Sequence, residues 1–146
     1  MMIEISEKIQ SEIFSQAEKK YPDECCGLIL GTIENNNKYA SQIYISENDS
    51  AESEQYHRFV ITPETMMKAQ KYAALNGMDI IGFYHSHPDC AAIPSEYDTS
   101  HALPVYSYLI TSVFEGKVSE LRSWELDSSE DYHKFKSEIL KISKGE

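Results

Sequence analysis

Residues 79–98 read DIIGFYHSHPDCAAIPSEYD, and the change of character halfway along this stretch sets the reading of the chain. Asp79 to Tyr84 is a nearly continuous apolar run with β-branched and aromatic residues, which predicts a central strand covered on both faces. The strand delivers His85 and His87, and Pro88 ends it. Side chains two residues apart on a strand share a face at a spacing of about 6 to 7 Å. The two imidazoles can therefore converge on one metal ion.

Two histidines do not make a site, so a third ligand is needed, and Asp98 is the natural candidate. The ten residues between His87 and Asp98 include Pro94 and Ser95, which supply a turn and a helix start that can fold back over the strand end. Two imidazoles and one carboxylate suit Zn2+ and leave a fourth position for water. Amide cleavage also needs a group to take the water's proton and pass it on. Glu24, just before the apolar run Cys26 to Leu30, is the candidate for that work. Ser95 can donate a hydroxyl to the developing oxyanion, or can simply cap the helix beginning near Glu96.

Working outward from this stretch, Ile9, Ile13 and Ala17 recur every four residues behind a possible Ser6 cap, which predicts an amphipathic helix stopped by Pro22. Cys26 to Leu30 and Lys38 to Ile45 read as a hairpin around Asn35-Asn36-Asn37. Ser46 to Gln55 reads as a loop and Tyr56 to Ile61 as renewed strand. Thr62, Pro63 and Glu64 start a helix that ends at Gly77. Ser107 to Val113 and Val118 to Leu126 read as a second hairpin. Tyr132, Phe135, Ile139 and Ile142 stand at helical spacing, which predicts a closing helix over about 129–143. The expected fold is α/β or α+β, a mixed sheet flanked by helices, in a single domain over residues 1–146.

The chain has 146 residues, with 13 Lys and Arg against 24 Asp and Glu and a formal charge of −11. Such a field repels phosphate backbones and anionic headgroups, so neither nucleic acid nor membrane is expected as a partner. No window approaches the length of a membrane span and no leader pattern opens the chain, which predicts a cytoplasmic protein. Three cysteines, Cys25, Cys26 and Cys90, form neither an even disulfide framework nor a C-x-x-C pair. Cys25 and Cys26 read as small core residues, and Cys90 as a loop residue close to the histidines. His57, His101 and His133 have no partner at ligand spacing and read as surface or structural histidines.

His85-x-His87, seven residues, then Ser95-x-x-Asp98 resembles the signature of the JAMM (MPN+) metallopeptidases, matched here without a gap. Tyr21-Pro22-Asp23-Glu24-Cys25-Cys26-Gly27-Leu28 is similar to the upstream segment of the small prokaryotic branch, as is the stretch with Asn48, Arg58, Phe59 and Pro63, so the resemblance spans most of residues 1 to 126. It implies a mixed sheet between helices, akin to the cytidine-deaminase core. It also implies zinc held by His85, His87 and Asp98, with Glu24 and Ser95 as catalytic residues. The substrate it implies is the C-terminus of a small ubiquitin-like or sulfur-carrier protein. Ubiquitin itself is disfavoured, because the chain shows no room for the inserted segments with which eukaryotic relatives grip it. A nucleobase deaminase is excluded by the missing P-C-x-x-C and H-x-E motifs. Two alternatives remain: a peptidase acting on peptides or cell-wall fragments, and a non-catalytic MPN scaffold. Oligomeric state and leaving group are not legible.

Overall fold

Ile3 and Ile5 alternate with polar neighbours, and Met2–Ser6 forms a first strand, β1, that runs straight into helix α1, Glu7–Lys20. Ser6 caps that helix by accepting from the Ile9 amide at 3.1 Å, satisfying a donor that the first turn leaves free. The remaining elements are β2 (Cys26–Glu34), β3 (Asn37–Ser46), α2 (Pro63–Leu75), β4 (Asp79–Pro88), α3 (Glu96–His101), β5 (Ser107–Phe114), β6 (Lys117–Leu126) and β7 (Phe135–Ser143). The structure, a computed structural model, describes residues 2–51, 54–55, 58–127 and 134–144.

The strands follow the order β1-β3-β2-β4-β5-β6-β7, and β7 returns to pair with β1, closing the sheet on itself. Pairing is parallel for β1 with β3, β1 with β7 and β4 with β5, and antiparallel elsewhere. The sheet is thus mixed, as expected, but it is closed rather than an open layer, and the helices are few. Both tight hairpins turn on residues with positive φ, Asn35 and Asn36 in the first and Glu115 and Gly116 in the second, the geometry that matches the twist of the flanking strands.

Period 2 separates the two faces of the sheet. Ile29, Ile81, Tyr84, Leu109 and Val113 pack with Ile3, Ile5 and the inner side of α1 (Ile9, Ile13, Ala17), all buried. Leu28, Phe83 and Tyr108 pack on the other face with Ala69 and Met66 of α2. Thr62 caps α2 through the Thr65 amide, with Pro63 in its first turn, and Gly77 follows its end at φ +70, as the sequence predicts. No helix among the described residues is long and apolar enough to cross a membrane.

Two expectations fail. The closing helix over 129–143 is not formed: residues 135–143 are strand β7, while 129–133 lie outside the described residues. Leu140 and Ile142 face the core, Ile139 is 68% exposed, and Glu138 points inward to meet Lys38 at 3.6 Å and to accept from the Ser123 hydroxyl at 2.7 Å. An inward acid and an outward isoleucine hid the alternation. The strand expected over Tyr56 to Ile61 is also absent at residues 58–61, which have no regular structure; Tyr56 and His57 lie outside the described residues, as does His133.

Candidate functional site

The register of β2 against β4 aims the two histidines. Leu30 pairs with Ile80 and Ile29 with Gly82, so Ile81 is an extra residue at a bulge that resets the alternation of β4. Beyond it Phe83, His85 and His87 share the face of Leu28 and Tyr108. Gly82 has no room for a side chain: a Cβ there would lie 2.5 Å from the Ser107 carbonyl oxygen.

Asp98 reaches the same place through α3. Ser95 is the N-cap, its hydroxyl oxygen accepting from the Asp98 amide at 3.0 Å, while the Asp98 carboxylate accepts from the Ser95 amide at 2.9 Å. This reciprocal capping fixes the Asp98 rotamer. The same carboxylate oxygen lies 3.2 Å from His85 Nε2 and 3.0 Å from His87 Nε2, and the two ring nitrogens are 3.1 Å apart. A triangle of these edges has its centre about 1.8 Å from each corner, slightly inside the usual zinc ligand distances of roughly 2.0 to 2.2 Å.

The donor set calls for a cation. The Ala91 carbonyl stands 3.0 Å from His87 Nδ1 and takes its hydrogen, so in the neutral ring Nε2 presents a lone pair to the triangle. With both Nε2 atoms bare, three lone-pair atoms at such distances repel unless a proton or a metal ion sits among them. Charges respond accordingly. Burial alone would lower His87, yet the Asp98 hydrogen bond, the Ala91 carbonyl and the nearby Asp98 and Glu24 charges hold it above its ordinary value. Burial keeps His85 below its ordinary value, against the pull of Asp98. Burial also opposes ionisation of Asp98, but the His85 charge and the hydrogen bonds from both rings and from the Ser95 amide hold it far below the carboxylate range. Among the described residues these three form the group able to hold a metal ion.

Glu24 arrives from the adjoining strand. Cys26 pairs with His85, and two residues back along this antiparallel register Glu24 falls opposite His87 on the same face. Ser86 locks that extension: its amide donates to the Cys25 carbonyl at 3.1 Å and its hydroxyl accepts from the Cys25 amide at 2.8 Å. The Glu24 side chain is 4% exposed and its Oε1 has no hydrogen-bond partner. Burial pushes its pKa up to about 8, with the His87 charge acting downward and Asp98 upward. A buried carboxyl that binds a proton near neutrality, next to a cation site, is equipped to shuttle protons.

Residues 58–61, ahead of α2, form a strap over the site. Phe59 stacks on His85 with centroids 4.4 Å apart. Asn48 holds the strap: its amide donates to the Glu24 and Arg58 carbonyls, and its oxygen accepts from the Ser50 and Val60 amides.

His85, His87 and Asp98 thus come together as expected, Glu24 lies beside them, and Ser95 caps α3. Cys25 and Cys26 are buried and Cys90 is exposed. His101 is exposed at the end of α3, with Nδ1 2.9 Å from the Tyr97 carbonyl. Reasoning from the sequence missed the support given by Ser86, Ala91 and Phe59. Ser86 carried a readable signal, a polar residue inside an apolar strand on the face away from the histidines; the Ala91 carbonyl carried none.

Residues 6–127 match the family described as prokaryotic homologs of the JAB domain. The chain is 32% identical over 92 residues to a desampylase of Haloferax volcanii, an alignment spanning 62% of this chain and 63% of that protein, less than two thirds of its length. The solution structure of a protein from Desulfitobacterium hafniense superposes with a TM-score of 0.83 at 24% identity, covering 99% of this chain and 94% of that one. A Salinibacter ruber protein gives 0.72 at 30% identity, covering 97% and 91%. A JAB1/MPN domain protein of Archaeoglobus fulgidus gives 0.58 at 18% identity, covering 98% and 99%.

Proposed function

Because this chain belongs to the family of prokaryotic homologs of the JAB domain, we propose that it is a zinc-dependent hydrolase, one catalytic domain over residues 1–146, that cleaves an amide or isopeptide bond at the C-terminus of a small ubiquitin-like or sulfur-carrier protein. The observation that carries the chemistry is the meeting of His85 Nε2, His87 Nε2 and Asp98 Oδ2 within 3.2 Å of one another, with the Glu24 carboxyl, its Oε1 unpaired, close enough to feel the charges of His87 and Asp98. The similarity to a desampylase supports a ubiquitin-like substrate.

His85, His87 and Asp98 would hold the ion. Bound there, zinc supplies Lewis acidity to the scissile carbonyl and to the attacking water. Glu24 accepts the proton of that water at its carboxylate and returns it to the leaving nitrogen, a cycle for which a pKa near neutrality is suited. The Ser95 hydroxyl hydrogen, free because only its oxygen is engaged by the cap, is donated to the oxyanion. Phe59 and the Asn48-pinned strap exclude water from the His85 side.

The test is to offer the zinc-loaded protein small carriers extended at their C-terminus through an amide bond and to follow release by mass. Release by the native chain and not by Glu24→Gln supports the reading; no release from any extended carrier contradicts it.

A further inference from the structure

A cavity of about 270 Å³ opens directly beside the triangle, walled by Phe59, Phe83, Tyr97, Tyr108, Val60 and Leu103, with His85 and Asp98 at its inner edge. Its walls are largely carbon, and several of the polar groups that reach it are engaged. The Tyr108 hydroxyl accepts from the Leu103 amide at 2.7 Å, His101 Nδ1 faces the Tyr97 carbonyl, and the Tyr97 ring is covered by Arg58 at 5.1 Å and stacked on His101 at 4.1 Å. Over most of this wall a polar occupant would lose its water without gaining a partner. An apolar occupant would bury its surface at about 25 cal/mol per Å².

The two residues shared between cavity and triangle decide what enters. A peptide bond whose carbonyl lies at the triangle has its neighbouring side chain one residue away, within reach of this cavity and its largely apolar wall. Resting on the hydrolytic reading above, we propose that the cavity is a specificity pocket for one large apolar side chain, aromatic or branched aliphatic, next to the scissile bond. The conjugates turned over best therefore carry such a residue at the junction. Substrates with glycine on both sides leave the pocket empty and forgo its binding energy.

Binding is read first, on the metal-free full-length chain, by NMR titration with N-acetyl-phenylalaninamide and, in parallel, N-acetyl-glycinamide. Saturable shifts confined to Phe59, Phe83, Tyr97, Tyr108 and Leu103 with the phenylalanine probe, absent with glycine, are expected. Shifts elsewhere, or equal response to both probes, overturn the proposal. Val60→Trp should fill the cavity and abolish the response. Leu103→Glu, at a half-exposed position on its rim, should weaken the response at least fivefold, and both variants should still take up one zinc per chain.

Turnover is read second, with peptides carrying Gly, Lys, Leu or Phe on either side of the scissile bond. At least a tenfold gain in kcat/KM for Leu or Phe over Gly on one side is expected, in the range a hydrophobic pocket provides. Hydrolysis without preference overturns the pocket and leaves the hydrolase standing. Selective binding of the phenylalanine probe without hydrolysis of any peptide overturns the hydrolase and leaves the pocket standing.

Discussion

The buried side-chain amide of Asn48 donates to the backbone carbonyl of Glu24 at 3.1 Å, tying the strap over the site to the residue proposed to handle the proton. The same side chain donates to Arg58 and accepts from Ser50 and Val60, so besides the Glu24 carbonyl it satisfies three backbone groups of an irregular segment that has no sheet ladder to do so. Asn48→Ala should leave these groups unpaired and cost about 1 to 3 kcal/mol of stability, read by denaturant unfolding. Zinc uptake should be unchanged, because the ligands stand on β4 and α3, while turnover should fall. Unchanged stability would contradict the role.

Glu24 gives the metal-free protein a pH dependence of known sign. Its pKa is about 8 in the fold against an ordinary 4.5, so the neutral form is favoured by folding. That contribution is full below about pH 4.5, falls by roughly 1.4 kcal/mol for each pH unit as the pH rises, and is gone above about 8. Glu24→Gln should flatten this decline in a series of unfolding curves between those limits. The variant should keep its zinc and lose turnover. A native-like decline in the variant would place the titration elsewhere.

The cap that Ser95 forms can be separated from the catalytic role proposed for it. Ser95→Ala removes both the cap and the free hydroxyl hydrogen, with an expected loss of about 1 kcal/mol in stability and roughly 100-fold in kcat. Ser95→Thr keeps a capping oxygen and a hydroxyl, and should restore stability and most of the turnover. Equal kcat for the alanine variant and the native chain would leave Ser95 a cap alone.

Gly27 faces the Tyr84 ring so closely that an added Cβ would stand 2.3 Å from its oxygen. Gly27→Ala should destabilise by about 1 to 3 kcal/mol or more through overpacking, seen as a lower midpoint in urea. Combined with Tyr84→Ala, the loss should be smaller than the sum of the single losses. Additive losses would mean the two positions do not touch.

The meeting of His85, His87 and Asp98 was legible because these residues lie where local rules are strong. His85 and His87 share a face by period 2, Ser95 and Asp98 share the first turn of a helix, and each statement needs only a few neighbouring residues. Closure of the sheet was not legible. It depends on Met2–Ser6, too short to impose a pattern although Ile3 and Ile5 alternate cleanly, and on Phe135–Ser143, where Glu138 takes an inward position that Lys38 and Ser123, far away in the chain, make tolerable. The strap at residues 58–61 was misread for a related reason: Phe59, Val60 and Ile61 are apolar because they face His85 and the adjoining cavity, not because they join a sheet. The position of Glu24 opposite His87 required the β2 to β4 register, which no local pattern encodes.

The most direct measurement is X-ray absorption on the zinc-loaded chain together with its zinc content. One zinc per chain, with two imidazole nitrogens and oxygen ligands at about 2.0 to 2.2 Å, and loss of that zinc on dialysis of Asp98→Asn and of the His85→Ala, His87→Ala pair, is the expected result. Zinc retained by those variants with an unchanged spectrum, or no zinc taken up by the native chain, would contradict the assignment of His85, His87 and Asp98 as the metal centre.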